Sequence, residues 1–134
     1  MSKFERVIPL LVYEDIQAAH DFLVTAFGFE SGGVMRSAEG QPVHAEVRVA
    51  NTDIWLHRAT AEHGLTSALI ADMPSGLVVH VDDVDEHFVR ARAAGARIDA
   101  EPVDQPYGQR EYGARDPEGH RWWFATRLAS TRTV

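Results

Sequence analysis

The sequence repeats itself with an offset of 68 residues, and this repeat limits the possible folds more than any other feature. Three pairs of residues keep the offset: Asp15 and Asp83, which open helical patterns, Asn51 and Gly119, which lie in turns, and Trp55 and Trp123. One match could arise by chance, but three in the same order indicate an internal repeat. A half of about 65 residues buries little apolar surface by itself, so the halves should share a core or pair with another chain.

Hydrophobic periodicity predicts the same order of elements in each copy. The first copy is predicted to contain a strand at 7–12, a helix from Asp15 to Gly28, and strands at 29–36, 43–50 and 54–58. The second copy is predicted to contain a strand at 77–81, a helix from Asp83 to Gly95, and strands at 97–103, 109–116 and 120–126. Both aspartates are expected to cap their helices. The fold class is therefore predicted to be α+β, with two βαβββ repeats.

The domain boundaries follow from the repeat. We expect residues 1–134 to form a single domain, with repeat 1 at about 5–58, a connector at 59–75 and repeat 2 at about 76–127. The connector is polar and contains Gly64 and Pro74, so it is interpreted as a linker or a lid. Residues 129–134 have no pattern and are expected to form a frayed tail.

Charge and composition exclude several classes of function. The net charge is −7, with 13 basic against 20 acidic residues, so we expect no nucleic-acid partner. There is no cysteine, which excludes disulfides and thiolate metal sites and is compatible with a cytoplasmic location. No run approaches the roughly 20 apolar residues of a membrane span, and the amino terminus does not resemble a signal peptide. A membrane partner is therefore not expected.

Three segments carry a resemblance to a known family: VIPLLVYEDIQAAHDFLVTAFGFE, VVHVDDVDEHFVRARAAGARI and YGQREYGARDPEGHRWWFAT. With the doubled βαβββ pattern, they resemble the vicinal oxygen chelate superfamily of glyoxalases, bleomycin-resistance proteins and extradiol dioxygenases. The resemblance covers about residues 7–126 and is most specific at the Asp-Pro-Glu-Gly turn that ends at Gly119. It implies curved four-stranded sheets with helices outside, a small-molecule cavity between the concave faces, and a homodimer.

The resemblance also implies where a divalent cation would be held, on the first and last strands of each copy. Carried onto this sequence, those positions are Val7, Trp55, Gly76 and Trp123. None of these side chains offers a lone pair to a metal. We therefore expect no metal ligands and no cofactor, as in the metal-poor, bleomycin-resistance-like branch of the family.

The candidate ligand-binding residues follow from the resemblance and from strand alternation. The two indoles would form flat walls for a planar or cationic molecule, and alternate residues on the neighbouring strand positions would line the same face. Tyr107 is expected at the mouth of the cavity, where it could close over a ligand. The full predicted set is Trp55, His57, Val78, His80, Tyr107, Glu111, Arg121 and Trp123.

Each candidate also has a purely structural interpretation. The tryptophans could be core residues, a role that Trp122 fits better, and His80 could be a hydrogen-bonded strand end. His44 and Glu46 could bind a metal at strand spacing, but a solvated strand face is the preferred interpretation. Glu111 could act as an acid or base, although an ion pair with Arg121 or Arg115 is preferred. The other histidines, at 20, 63, 87 and 120, are expected in surface, helix-face or turn positions.

Three functions remain open on the sequence. The first is a metal-free protein that binds a planar or aromatic molecule such as an antibiotic. The second is a lyase, isomerase or dioxygenase of the same superfamily with a reassigned metal site. The third is a metal-independent enzyme that uses Glu111 or His80. The first is preferred because the inherited ligand positions lack donor atoms.

Overall fold

The computed structural model describes residues 2–60 and 75–128. The order of elements repeats as predicted, and the two βαβββ units of an α+β fold are confirmed. The first unit contains β1 (Leu10–Tyr13), α1 (Ile16–Thr25), β2 (Glu30–Arg36), β3 (Pro42–Val49) and β4 (Thr52–Arg58). The second contains β5 (Gly76–His80), α2 (Val84–Ala93), β6 (Arg97–Gln105), β7 (Gln109–Arg115) and β8 (Arg121–Arg127). Most of the predicted connector and the tail at 129–134 lie outside the described residues.

Each unit has one four-stranded mixed sheet, and the strand pairing is equivalent in the two. The orders are β1-β4-β3-β2 and β5-β8-β7-β6, with the first and last strands of each unit parallel. Leu10 pairs with Trp55, and Val78 pairs with Trp123, so both pairs keep the 68-residue offset. The sequence repeat therefore corresponds to a repeat in strand register.

The chain divides into two compact units that follow the repeat closely. The first comprises the described residues of 1–24 and 28–67, and the second those of 25–27 and 68–134. Residues 25–27 begin with the last residue of α1 and belong to the second unit, in which the Phe27 ring contacts Trp122 and Phe124. Within the described ranges, no helix is long and apolar enough to cross a membrane.

Both helices begin at the predicted aspartates. Asp15 accepts a hydrogen bond from the backbone nitrogen of Ala18, and Asp83 accepts one from that of Glu86. Each bond satisfies a donor that has no partner within the helix. Gly28 and Gly95 follow the helices with φ of 81° and 92°, a conformation that glycine adopts without steric cost.

Strand β1 is shorter than predicted, beginning at Leu10 and not at residue 7. Pro9 explains the difference, because it has no backbone N–H for the ladder. Its carbonyl still accepts a bond from the Trp55 nitrogen at 3.0 Å. On β2, the pairing with β3 shifts register between Ser31 and Gly33, which marks a bulge at the paired glycines.

The core of each unit lies between its helix and one face of its sheet. In the first unit, the His20 ring is 2.7 Å from the Ser31 hydroxyl, which lies on the same sheet face as buried Val47. In the second unit, α2 covers Tyr112 and Phe124, and the Phe88 ring lies 5.2 Å from that of Tyr112. Among residues 2–60 and 75–128, no helix of the same unit lies on the opposite face of either sheet, and we call this face the helix-free face.

Candidate functional site

Strand alternation sorts the side chains of β8 onto the two faces of the second sheet. Trp122 and Phe124 are fully buried on the helix side, where the Phe27 ring contacts both. Arg121 and Trp123 therefore lie on the helix-free face, and both are half-buried. Trp122 is the core tryptophan, as the structural interpretation of the sequence suggested.

The indole of Trp123 lies across the helix-free face of the second sheet. A Cβ atom built on Gly76 would meet Cζ3 of the indole at 2.6 Å, and one built on Gly113 would meet Nε1 at 3.2 Å. The six-membered ring therefore reaches over β5 and the five-membered ring over β7. Two glycines on neighbouring strands provide the space for this large side chain.

Beyond Trp123 along β8, four polar side chains form a connected network on the same face. Tyr107 Oη donates to Glu111 Oε1 at 2.7 Å, and Gln109 Nε2 donates to the same oxygen at 3.0 Å. Gln109 Oε1 lies 3.0 Å from His80 Nε2. The hydrogen bond to Glu111 is the main reason that the pKa of the Tyr107 phenol is raised. The phenol therefore stays a donor to the carboxylate.

The other end of the face is basic. Arg115 pairs with Arg121 in the strand register and donates to Asp99 Oδ2 at 2.8 Å. The Nε atom of Arg121 is buried and has no hydrogen-bond partner among the residues that the structure describes. Along the helix-free face of the second sheet, the two arginines therefore lie at one end, the indole of Trp123 in the middle and the hydrogen-bonded network of Glu111 at the other end.

The helix-free face of the first sheet has a different composition. Trp55 is 36% exposed between buried Ile54 and Leu56. The His44 ring meets the Trp55 ring edge-on at 5.5 Å and lies 6.1 Å from the ring of His57. His44 is also 3.0 Å from Glu46 through Nε2. This sheet therefore presents an indole and two imidazoles.

The residues at the inherited metal positions do not fit a metal. Val7 precedes β1 and is 84% exposed, and the register shows that Ile8, not Val7, is equivalent to Gly76. Neither residue has a donor side chain, and the positions on β4 and β8 are tryptophans. Within residues 2–60 and 75–128, no three His, Asp or Glu side chains form a group that could hold a metal ion.

The alternation of side chains along each strand predicted which of them share one face of the second sheet. Val78, His80, Glu111, Arg121 and Trp123 lie on its helix-free face. Tyr107 joins them from the turn between β6 and β7. Trp55 and His57 lie on the helix-free face of the first sheet.

The expected ion pair of Glu111 with Arg121 or Arg115 is wrong. Glu111 bonds to Tyr107 and Gln109 instead, and Arg115 bonds to Asp99. Arg115 bonds to Asp99 and not to Glu111 because β6 pairs with β7 and places the Asp99 carboxylate beside Arg115. Gln109 was not predicted, although it has the same strand parity as Glu111.

Three histidines are more enclosed than predicted. His20 and His120 are each 8% exposed. His87 lies between Tyr112 and the carbonyl of Phe27, to which its two ring nitrogens bond at 2.6 and 2.8 Å. Burial lowers the pKa of His87. A single polar residue on a helix gives no signal for such a role, because its partners are distant in sequence.

The family follows from a match over most of the chain. The profile of the Glyoxalase/Bleomycin resistance protein/Dioxygenase superfamily matches residues 6–124. The chain belongs to this superfamily. Among proteins of the superfamily's fold, TioX from Micromonospora sp. ML1 is 36% identical, with a TM-score of 0.75 over 93% of this chain and 100% of its own.

Two further proteins are similar to this chain of the glyoxalase superfamily. A Mycobacterium bovis protein, Mb0911c, is 31% identical over 118 residues, which is 85% of this chain and 78% of its own. TnmS3, described as an antibiotic binding protein from Streptomyces sp. CB03234, has a TM-score of 0.73 at 22% identity over 95% of this chain and 98% of its own. At that identity the likeness to TnmS3 shows the fold alone.

Proposed function

We propose that this member of the glyoxalase superfamily is a binding protein that holds a planar aromatic molecule, such as an antibiotic, without a metal or cofactor. The observation that carries the proposal is the half-buried indole of Trp123 lying across Gly76 and Gly113. A large aromatic side chain on the helix-free face of a sheet contributes little to the core beneath the helix. It offers a polarisable surface to a ligand.

The side chains around Trp123 suit such a ligand. Val78 pairs with Trp123 in the register and is 58% exposed, which adds apolar surface beside the ring. The Tyr107–Glu111 pair provides hydrogen-bonding groups at one end. Binding sites for small molecules commonly combine an apolar surface with a few fixed polar groups. In the first unit, Trp55 and His57 offer a comparable surface.

One solved structure of the same fold is compatible with this proposal. TnmS3 has this fold and is described as an antibiotic binding protein. We extend to this chain the homodimeric, cytoplasmic state that its family resemblance and lack of cysteine suggest. The metal-dependent lyase, isomerase or dioxygenase function is the competing proposal, and the side chains at the inherited ligand positions disfavour it.

Trp123→Ala tests the proposal through ligand affinity. Titration with anthracycline and quinolone antibiotics, followed by calorimetry, should detect at least one ligand of the wild-type protein. Loss of aromatic stacking is worth about 0.5–1.5 kcal/mol, so W123A should weaken binding up to roughly tenfold. W55A tests the comparable surface of the first unit in the same way, whereas V89A, an exposed change on α2, should leave the affinity unchanged. Unchanged affinity in W123A, with the fold intact by circular dichroism, would contradict the proposal.

Metal analysis separates the proposal from its competitor. The protein purified without chelators should contain no stoichiometric divalent ion by mass spectrometry, and added EDTA should leave ligand affinity unchanged. One tightly bound ion per chain, or loss of binding after chelation, would favour the metal-dependent enzyme. Size-exclusion chromatography with light scattering tests the proposed homodimer, for which the expected mass is twice the 14.9 kDa of the chain.

A further inference from the structure

The charge distribution around Trp123 specifies the chemistry of the ligand beyond its planar shape. Arg121 and Trp123 lie two residues apart on the same face of β8, so their Cα atoms are about 7 Å apart. Two residues further along the strand, Ala125 pairs with Glu111. The indole therefore lies between a cation on one side and a carboxylate on the other.

Arg121 is the unusual member of this arrangement. Its guanidinium is always charged, and it is half-buried. Its buried Nε has no hydrogen-bond partner among the described residues. The large majority of buried polar side-chain atoms in folded proteins have a hydrogen-bond partner. The guanidinium of Arg121 therefore has hydrogen-bonding capacity that the described residues leave unused.

The neighbouring charges show that Arg121 is the cation available to a ligand. Arg115, opposite it on β7, is already neutralised by Asp99 at 2.8 Å. Glu111 is directed to Tyr107 and Gln109, so it does not neutralise Arg121. Arg97, on β6 of the same sheet, is exposed and can be solvated by water, in contrast to half-buried Arg121.

We infer that the ligand is a planar aromatic acid whose carboxylate or phenolate pairs with Arg121 while its rings lie on Trp123. This inference rests on the proposed function and adds the sign and position of a charge. Charge-assisted bonds between a guanidinium and a carboxylate are short, directional and stronger than neutral ones. The Glu111 carboxylate repels an acid group from the opposite end, so the ligand has one favoured orientation.

Three naphthalene probes of matched size test the inference: naphthoate, which is anionic, naphthamide, which is neutral, and naphthylmethylamine, which is cationic. Calorimetry at pH 7.5 should show naphthoate binding wild-type protein roughly tenfold tighter than naphthamide, about 1.4 kcal/mol. Naphthylmethylamine should bind more weakly than naphthoate, because Arg121 repels its ammonium group. R121Q should abolish the preference for naphthoate over naphthamide, and R121K should keep part of it.

A matched control removes a positive charge from the other side of the same unit. Arg90 lies on α2, and R90Q should leave the preference for naphthoate intact. Thermal unfolding of R121Q should show a folded protein, since the Nε atom of Arg121 makes no hydrogen bond to any described residue. A loss of preference in R90Q equal to that in R121Q would overturn the inference by showing a nonspecific charge effect.

The outcomes distinguish this inference from the proposed function. Equal affinities for naphthoate and naphthamide, both lost in W123A, would overturn the acid site and leave stacking on Trp123 in place. A preference for naphthoate that needs Arg121 but not Trp123 would support the acid site and contradict stacking. No naphthoate binding would overturn the inference, whereas the proposed function is decided separately by the antibiotic titrations.

Discussion

At the residue scale, the two glycines beneath Trp123 differ in how tightly they enclose the indole. A Cβ atom at Gly76 would lie 2.6 Å from the carbonyl oxygen of Arg121 as well as 2.6 Å from the indole. A backbone oxygen in a paired strand cannot move away. At Gly113 the nearest atoms are side-chain atoms of Trp123 at 3.2 and 3.3 Å, which can shift by a few tenths of an ångström.

Gly76→Ala should therefore destabilise the protein more than Gly113→Ala. Overpacking against a fixed backbone costs about 1–3 kcal/mol, and we expect G76A to fall in this range and G113A below it. Urea denaturation followed by circular dichroism measures both. G76A should also shift the fluorescence of Trp123, which must leave its position over β5. Equal stability of G76A and wild-type protein would show that the strands separate easily at this point.

At the element scale, the turn before β8 is held by one buried carboxylate. Asp116 Oδ1 accepts bonds from the backbone nitrogens of Glu118 and His120, both at 3.1 Å. Its other oxygen accepts a bond from Trp122 Nε1 at 3.2 Å. Gly119 completes the turn with φ of 95°. The Asp116 side chain thus connects the turn, which also has backbone bonds from Gly119 to Asp116 and from Asp116 to His120, with the core tryptophan that follows it.

Asp116→Ala and Asp116→Asn should separate these two contributions. Alanine leaves three donors without this acceptor, and each unsatisfied buried donor costs about 1–3 kcal/mol, so D116A should lose roughly 3 kcal/mol or more. Asparagine keeps one carbonyl oxygen for the turn but cannot accept from Trp122 through its amide nitrogen. D116N should therefore lose less, measured as the free energy of unfolding in urea. Equal losses would show that the turn depends on the negative charge alone.

The elements were predictable from the sequence because their signals are local. The apolar alternation around Trp55, the cap at Asp83 and the Asp-Pro-Glu-Gly turn each specify structure within a few residues. The Arg115–Asp99 and Glu111–Tyr107 bonds were not predicted. Strand parity gives the face of a residue, but the choice between two nearby partners depends on three-dimensional distances. The ligand itself is likewise not encoded in any local pattern.

At the scale of the whole molecule, the two copies keep one backbone arrangement and carry different chemistry. In each unit, the tryptophan on the last strand pairs with a residue of the third strand. Trp55 pairs with Glu46 in the first unit, and Trp123 pairs with Gly113 in the second. Two residues before these partners, the third strand carries His44 in the first unit and Glu111 in the second. The fold is therefore common to both units, whereas the recognition groups are specific to each. The function of each unit therefore depends on these side chains and not on the fold.

The stability of the molecule should depend on pH through His87. The carbonyl of Phe27 can only accept, so Nε2 of His87 carries a proton and donates at 2.8 Å. Nδ1 then accepts a hydrogen bond from the Tyr112 hydroxyl at 2.6 Å. In a doubly protonated imidazole both ring nitrogens are donors, so Nδ1 could not accept this bond. Burial is the main cause that lowers the pKa of His87 below its ordinary value of 6.5. The folded state thus favours the neutral ring.

The sign of the pH dependence follows from this shift. Below pH 6.5 the unfolded chain binds a proton at His87 that the folded protein still resists, so the free energy of unfolding falls as the pH falls through 6.5 towards the lowered folded pKa. Unfolding midpoints in urea should therefore decrease from pH 7.5 to 5.5. H87Q, whose amide can both donate and accept but does not titrate, should show a flatter decrease. Y112F keeps the imidazole and should still lose stability on acidification, whereas an H87Q variant as acid-sensitive as wild type would show that other groups control the pH dependence.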